Sequence, residues 1–411
     1  MQKLPIAGLL LVMLCPSFAS QAGQTLNLEQ RLGASLYKDE NLSLNRNQSC
    51  ASCHSVQPYD YPQGIPGFVD PDNVNTGTPV SLGSVSGAAG SLNAPSAGYA
   101  AYSPLFQWDS GIGGYKGGQF WNGRAKDLVE QAKGPFLNPA EMAMPSKWAV
   151  VRRLREDSRY PLWLWYVYGV NLLDVPYDYQ QDSSYTPPVV DVVYDLVARA
   201  ISAFEQSNVF NKFNSKFDYV LAGKSQFTPL EEQGFALFND PNKGNCATCH
   251  VSTTTTDGAG NTIPPLFTDF TYDNLGLPQN FNIPGNPAPD LGLGGRADIA
   301  AVDPEGKQIG KHKVMSLRNI AITPPYGHNG VFASLEQIVH FYNTRDTLGW
   351  VWNNQDDGFA VTGWPDPEIP QTVNHQELGN LGLTADEEDA IVAFLKTLTD
   401  DYQVPLDNDH H

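Results

Sequence analysis

Two copies of one short cysteine pattern restrict what this chain can fold into more than any other feature. The letters CASCH at 50–54 and CATCH at 246–250 each place two cysteines three positions apart, with a histidine directly after the second. Thiols at i and i+3 of a helical turn lie on one face, where both can bond a porphyrin, and the next imidazole can ligate its iron. C-x-x-C-H is the attachment pattern of c-type haem, so the sequence predicts two covalently bound haem c groups. The residues that would hold them are Cys50, Cys53, His54, Cys246, Cys249 and His250, with the two histidines as proximal iron ligands.

Other uses of paired cysteines explain the pattern less well. Four cysteines in an exported chain could form two disulfides. A C-x-x-C pair could be a redox dithiol, and two thiols with one imidazole could hold zinc. Neither a redox pair nor a zinc site explains why a histidine directly follows both cysteine pairs, whereas haem attachment does.

The first 22 residues have the features of a secretory signal peptide. Lys3 supplies a positive charge, and Leu4–Cys15 is an apolar run of twelve residues, too short to span a bilayer. Small residues at Ala19 and Ala22 offer cleavage sites. A buried N-terminal helix is the alternative, and the two prolines of the segment oppose it. We therefore expect an exported, periplasmic protein, with no other stretch able to cross a membrane.

Length and charge exclude some classes of protein. The chain has 411 residues, of which 41% are apolar and 17% charged, which indicates a globular protein of two or three domains. Asp and Glu outnumber Lys and Arg by 44 to 25, so the net charge is −19. Nucleic acid binding needs a basic face, and we expect no such partner. The charge instead favours attraction of a basic partner.

Similar surroundings of the two cysteine motifs predict an internal duplication. Apolar segments at 32–37 and 234–238 are each followed by a short polar loop and then by the motif. We expect a mostly α fold of two cytochrome c-like haem domains, with long loops rich in Gly, Pro, Ser and Thr at 57–119 and 251–311. The predicted boundaries are 1–22 for the signal peptide, 23–225 for the N-terminal haem domain and 226–411 for the C-terminal one.

Helix signals support this fold class. Residues 228–231 and 384–387 each form a predicted capping box, and the first has proline at the first helical position. Apolar residues within 391–398 would share one face of the last helix. Apolar spacing also predicts a helix over 189–213, and 217–226 is the predicted linker between the domains.

Five further segments carry a family resemblance. They are FWNGRA at 120–125, QA at 131–132, NPAEM at 138–142, SLRN at 316–319 and TPPYGHNG at 323–330. In this order they resemble the bacterial dihaem cytochrome c peroxidases and their MauG-type relatives, over nearly all of the mature chain. Asn122 departs slightly, since the family usually has Asp there. The resemblance implies a two-haem oxidoreductase that uses hydrogen peroxide.

By this resemblance the first haem is the peroxide site. His54 would be its proximal ligand, and Gln131 and Glu141 would line its open distal face. Heterolytic cleavage of the O–O bond moves a proton from one oxygen to the other, which a carboxyl in a low-dielectric pocket performs as general acid and base. Trp121 corresponds to the tryptophan between the haems in the family, where an indole can relay electrons. Simple core packing is the alternative role for this side chain.

The resemblance also implies a structural calcium ion between the domains. Asn93, Thr323 and Pro325 match the positions that hold it, and their carbonyl and amide oxygens suit that hard ion. A glycine-rich insert at 110–118 lengthens the chain between Asn93 and Trp121.

A missing histidine separates this chain from ordinary members of the family. Those carry a histidine shortly after the first haem motif, which caps the first iron when both haems are oxidised. Here no histidine lies between His54 and His250. We therefore expect a first haem without a histidine gate, open at rest, although Met142, Met144 or a tyrosine could still ligate it.

The second haem is expected to differ as well. Ordinary peroxidases place a methionine fourteen residues after the histidine of the P-Y-x-H-x-G segment, and the MauG type has tyrosine there. Counting fourteen residues from His328 leads to Tyr342. A methionine ligand raises the potential of a haem, whereas a hard phenolic oxygen favours higher oxidation states. We predict Tyr342 as the distal ligand of the second iron, with His340 and Met315 as the alternatives.

These features predict an exported peroxidase in one of two versions. In the first, hydrogen peroxide is reduced and a small cytochrome or copper protein returns the electrons. In the second, a Trp or Tyr of a partner protein is oxidised, as in MauG-type enzymes, and the missing gate and Tyr342 favour this version. The alternative from another class is a non-enzymatic dihaem electron carrier, which would not need Gln131 or Glu141. The sequence leaves open whether the protein forms a homodimer.

Overall fold

The fold is rich in helix and poor in sheet over the residues that the computed structural model describes, which are 25–55, 79–176, 186–257 and 259–404. The predicted signal peptide and part of the first long loop lie outside these ranges. The helices are α1 (Leu28–Tyr37), α2 (Leu128–Leu137), α3 (Lys147–Glu156), α4 (Arg159–Tyr168), α5 (Pro188–Glu205), α6 (Lys216–Leu221), α7 (Pro229–Asn239), α8 (Ala297–Ala300), α9 (Leu335–Thr344) and α10 (Ala385–Lys396).

Short two-stranded ribbons interrupt the long loops. Three of the four ribbons in the described part of the chain are antiparallel and pair β1 with β2, β3 with β4 and β5 with β6, while β7 and β8 pair in parallel. The strands are β1 (Gln107–Asp109), β2 (Gly114–Lys116), β3 (Thr255–Thr256), β4 (Thr262–Ile263), β5 (Tyr272–Asp273), β6 (His312–Lys313), β7 (Gly349–Trp350) and β8 (Gly363–Trp364).

Two large hydrophobic cores divide the helices between them. The first core is built from α1 to α5, and the second from α6, α7, α9 and α10. In each core one pair of helices crosses at a glycine. A Cβ on Gly33 of α1 would lie 1.9 Å from the carbonyl oxygen of Ala200 in α5, and a Cβ on Gly234 of α7 would lie 1.9 Å from that of Ala390 in α10. Any residue other than glycine would place its Cβ against the backbone of the facing helix, so each helix crossing requires its glycine.

The helix starts that were predicted from capping boxes are confirmed. The side chain of Thr228 accepts a hydrogen bond from the backbone N–H of Glu231, and α7 begins with proline at the next position. Thr384 and Glu387 form the same box at the start of α10. These boxes hold the helices that pack beside the second cysteine motif.

The predicted helix over 189–213 is too long. Helix α5 ends at Glu205, because Asn211 donates from its side-chain amide to the backbone oxygens of Glu205 and Ser207. These bonds satisfy carbonyls that a continuing helix would have used, and the chain turns there.

The predicted linker at 217–226 was wrong in part, since α6 occupies its first half. Ser215 caps this helix in a box with Asp218, and Phe217 packs into the second core. The guanidinium of Arg318 donates two hydrogen bonds to the carboxylate of Asp218, at 2.6 and 2.9 Å. The segment therefore packs as part of the second half of the chain.

A buried polar contact joins the two halves. Tyr99 donates from its hydroxyl to the carboxylate of Asp400 at 2.9 Å, and the side-chain amide of Asn319 donates to the same carboxylate at 2.9 Å. Burial raises the pKa of Asp400 above its usual range. This contact joins the N-terminal half to the end of the chain.

Candidate haem sites

The second cysteine motif forms one side of a deep, mainly apolar cavity. The cavity holds about 1380 Å³ of empty space, part of it open to solvent. Cys246, Cys249 and His250 line it, and α9 contributes Tyr342. A short 3₁₀ turn at Cys246–Thr248, rather than the start of an α-helix, brings the two thiols and the imidazole to the same side. The first motif has the same turn at Cys50–Ser52.

The orientation of His250 suits a proximal iron ligand. Its Nδ1 lies 2.8 Å from the backbone oxygen of Phe267, and a carbonyl only accepts, so Nδ1 carries the proton. In the neutral ring this leaves Nε2 as the basic nitrogen, which is how ligating imidazoles are commonly held. Burial lowers the pKa of His250 and keeps the ring in the neutral form that binds a metal.

The thiols suit attachment to a haem better than the other uses of paired cysteines. No disulfide involves any of the four cysteines within the described residues, so neither motif is a disulfide-bonded pair. Burial raises the pKa of Cys246 and of Cys249 to about 12, and that of Cys50 further, whereas a redox dithiol needs a lowered pKa. In the same ranges no three His, Cys, Asp or Glu side chains are grouped as a metal site.

Two of the three candidate distal ligands of the second haem line the cavity, and the third lies elsewhere. Tyr342 and Met315 both line the cavity. His340 lies against α10, where its Nδ1 is 3.0 Å from the carboxylate of Glu388. Burial raises the pKa of Tyr342, so the phenol keeps its proton unless a bound cation displaces it.

At the first motif the structure brings Glu141 within the electrostatic reach of His54. Burial raises the pKa of Glu141, while a hydrogen bond from the Asn138 amide at 2.7 Å and the charges of Arg124 and His54 act in the opposite direction. The Glu141 charge in turn helps to raise the pKa of Cys50. A carboxyl with a raised pKa beside the predicted haem is equipped to hold and release a proton.

The other residues predicted for the first haem lie on the same helix and loop. Gln131 is on α2, and the loop that carries Glu141 folds back on the end of this helix, where the Met144 N–H donates to the oxygen of Phe136 at 2.8 Å. Met142 and Met144 are buried in the first core.

Trp121 lines the cavity beside the second motif but belongs to the N-terminal half of the chain. Its Nε1–H donates to the backbone oxygen of Asn93 at 2.7 Å, and its backbone oxygen accepts from Lys313 on β6. The Trp121 ring also contacts the rings of His312 and His328, with centroids 6.3 and 6.2 Å away. The tryptophan therefore lies where the two halves meet.

Sequence analysis missed the carboxylates that pair with these two histidines. Nε2 of His312 is 3.0 Å from the carboxylate of Asp290, and His328 makes a short hydrogen bond to Glu368. The four residues come from separate segments, so no local signal in the sequence joins them. They form a polar cluster next to Trp121 that is buried except for the partly exposed Asp290.

The residues predicted for calcium lie close to one another. The side-chain amide of Asn93 donates to the oxygen of Pro79 at 3.3 Å. A Cβ on Gly330 would contact both the Pro79 oxygen and Pro325, and Thr323 is two residues before Pro325. Amide and carbonyl oxygens are the donor types that calcium takes, so the donor set fits this ion.

Two C-x-x-C-H motifs in a helical chain with two cores, the second motif lining a large cavity, define the dihaem c-type class of proteins. A family model described as di-haem cytochrome c peroxidase matches residues 28–226. The methylamine utilization protein MauG of Paracoccus denitrificans is 38% identical over 411 aligned residues, which cover 98% of this chain and 96% of MauG. Cytochrome c peroxidase Ccp of Escherichia coli is 31% identical over 314 residues, covering 75% of this chain and 51% of that protein.

A solved structure agrees with these relatives. The diheme peroxidase BthA of Burkholderia thailandensis superimposes with a TM-score of 0.72 at 30% identity, covering 92% of this chain and 87% of BthA. The chain belongs to the dihaem cytochrome c peroxidase family that includes MauG, and it is an oxidoreductase of this type. No helix in the described part of the chain is long and apolar enough to span a membrane.

Proposed function

We propose that this protein reduces hydrogen peroxide at a haem held by Cys50, Cys53 and His54, and that a second haem held by Cys246, Cys249 and His250 shares the oxidising equivalents. The observation that carries the proposal is the partly buried Glu141 carboxyl, with its raised pKa and its electrostatic interaction with His54. When bound, the haem irons supply the electrons that the reaction consumes.

Glu141 has the role of moving a proton between the two oxygens of peroxide. Its carboxyl accepts the proton from one oxygen and returns it to the other, which then leaves as water. The Asn138 amide keeps one carboxyl oxygen in place, so the other is directed to the substrate. Gln131, on the adjacent α2, is proposed to orient the peroxide by hydrogen bonding. In total, one peroxide takes up two electrons and two protons and yields two waters.

Tyr342 is the proposed distal ligand at the second haem. It lines the cavity with the second motif, whereas His340 is engaged by Glu388. A phenol whose pKa is raised by burial gives up its proton only to a strong cation such as a ferric iron. Trp121, which reaches this cavity from the N-terminal half, is proposed to relay electrons between the haems.

The version of the reaction that we favour oxidises a side chain of a partner protein. The absence of a histidine between His54 and His250, Tyr342, and the extended similarity to MauG support it. A small cytochrome or copper protein would be the donor in the other version. The signal-like segment 1–22 supports export to the periplasm, and the matched glycine crossings support an internal duplication. The proposal also includes a calcium ion at Asn93, Thr323 and Pro325 and a homodimer.

The test is peroxide consumption by the purified dihaem protein with a reduced small cytochrome as donor. We expect Glu141→Gln to slow consumption by about 100-fold or more, with unchanged haem content. Glu130→Gln is the matched control: Glu130 is on α2, is partly exposed and pairs with Lys133, and the variant should behave like the wild type. An electron carrier without enzymatic activity would consume no peroxide, and a Glu141→Gln variant with the wild-type rate would remove Glu141 from the reaction.

A further inference from the structure

Two tryptophans lie exposed at the surface of the C-terminal half. Trp350 and Trp352 are 57% and 73% exposed, and their rings meet edge to face with centroids 5.7 Å apart. Exposing two large aromatic rings side by side forgoes the free energy of burying them. Packing does not explain the pair, and the proposed function leaves it without a role.

Strand pairing connects this pair to a third tryptophan in the interior. Trp350 on β7 is aligned with Trp364 on β8, and the N–H of Val351 donates to the oxygen of Trp364 at 3.3 Å. Neighbouring strands lie about 4.8 Å apart, so the backbones of the two tryptophans are adjacent. Trp364 is only 3% exposed, and its Nε1–H donates to the hydroxyl of Thr344 at 3.1 Å.

Trp364 packs on the face of α9 that is turned away from the second haem cavity. Its ring contacts Phe341 and His340, with centroids 5.1 and 5.8 Å away. The other face of α9 lines the cavity with Ile338 and Tyr342, among others. A helix with its side chains is about 10 Å across, so Trp364 is one helix thickness from the cavity. Ring contact between Trp352 and Trp350, strand pairing between Trp350 and Trp364, and ring contact between Trp364 and α9 thus connect the surface to the helix that lines the cavity.

We propose that Trp352 and Trp350 form a surface oxidation site for electron-rich aromatic donors, either a free phenol or a phenol carried on a larger molecule. The proposal rests on the peroxidase function above and names where its reducing substrate gives up electrons. An indole is the side chain best able, with tyrosine, to lose one electron and take it back. A donor on a large molecule cannot enter the cavity, and it reacts only at an exposed relay of this kind.

The reaction balances with the peroxide that the enzyme consumes. Each phenol loses one electron to the oxidised Trp352 indole and one proton to solvent, and it leaves as a phenoxyl radical. The electron passes through Trp350 and Trp364 to the second haem. Two phenols supply the two electrons and the two protons that convert one hydrogen peroxide into two waters.

The experiment compares two donors in the dihaem protein: N-acetyltyramine, and tyramine coupled to dextran. We expect the wild type to oxidise both with peroxide. The double variant Trp350→Phe/Trp352→Phe should oxidise the dextran-bound phenol about tenfold or more slowly, and its haem spectrum should still respond to peroxide as in the wild type. Trp165→Phe is the matched control, because Trp165 is also 57% exposed but lies on α4 in the other half.

Each failure points to a different claim. If the wild type oxidises free phenol but never the dextran-bound phenol, or if the double variant oxidises the bound phenol at the wild-type rate, the surface site is wrong. An equal loss in the Trp165→Phe control would also overturn it. If the wild type reacts with neither donor and its haem spectrum does not respond to peroxide, the proposed function itself fails.

Discussion

The imidazole rings of His312 and His328 lie face to face, with centroids 3.6 Å apart and planes inclined by 6°. Two charged rings at this distance would repel each other strongly in a buried setting. Burial, followed by the proximity of His328, lowers the pKa of His312 to about 4, and burial lowers the pKa of His328 to about 4. The stack beside Trp121 is therefore neutral at pH 7.

This neutral stack makes the stability of the protein depend on pH. A histidine whose pKa is lower in the folded state than in the unfolded chain stabilises the fold fully above pH 6.5, and this contribution falls as the pH drops toward 4. Between these values we expect the advantage of the wild type over His312→Gln to shrink by about 3 kcal/mol. Glu368, whose pKa burial raises to about 7, acts in the opposite direction, and because His312 lowers the pKa of this carboxyl, the difference between the two proteins includes a contribution from Glu368. Urea unfolding of both holoproteins across this range measures the effect, and parallel pH profiles would contradict a neutral His312.

Tyr342→Phe tests the ligand of the second iron. The substitution removes one oxygen and keeps the ring, so the cavity stays filled. We expect the absorption and electron paramagnetic resonance signals of the second haem to change while those of the first stay the same. Tyr326→Phe is the matched control, because Tyr326 lines the same cavity but donates its hydroxyl to the oxygen of Ile320 at 2.8 Å. An unchanged spectrum for Tyr342→Phe would leave Met315 as the candidate in the cavity.

Asp218→Asn tests how α6 is held to the second core. Arg318 is 2% exposed, and Asp218 supplies the charge that compensates its guanidinium. Removing that charge leaves a buried cation without its counter-ion, and we expect a loss of about 3 kcal/mol or more in the free energy of unfolding. Asp298→Asn is the comparison, because Asp298 pairs with Arg296 through an exposed carboxylate. We expect this variant to lose about 1 kcal/mol or less in the free energy of unfolding. Equal losses of unfolding free energy in the two variants would show that the buried pair stabilises the protein no more than the exposed pair does.

Local patterns in the sequence predicted local features of the structure. The capping boxes before α7 and α10 depend on residues three positions apart, and both were found as predicted. Helix α6 was missed because its six residues are too few for a periodic signal. Besides its capping box, it is held by Phe217 in the second core and by Arg318, a hundred residues from Asp218 in the sequence. The end of α5 was missed for a similar reason, since the side chain of Asn211 terminates it.

The same distinction between local and long-range signals applies to the residues of the candidate sites. Each haem motif is complete within five consecutive residues, so the sequence alone predicts it. The family resemblance indicated Glu141 and Tyr342. Nothing local joins Asp290 to His312, or Trp350 to Trp364, because these contacts form only when distant segments meet. A sequence argument finds such groups one by one, and only the fold shows that they are neighbours.

The central claim is that the first haem is open at rest, without a histidine gate. Its most direct test is to mix hydrogen peroxide with the fully oxidised dihaem protein in a stopped-flow spectrophotometer, with no reductant present. We predict a rapid change in the haem absorption spectrum. If no change occurs until one electron has been supplied to the second haem, the first iron is capped at rest and the claim is wrong.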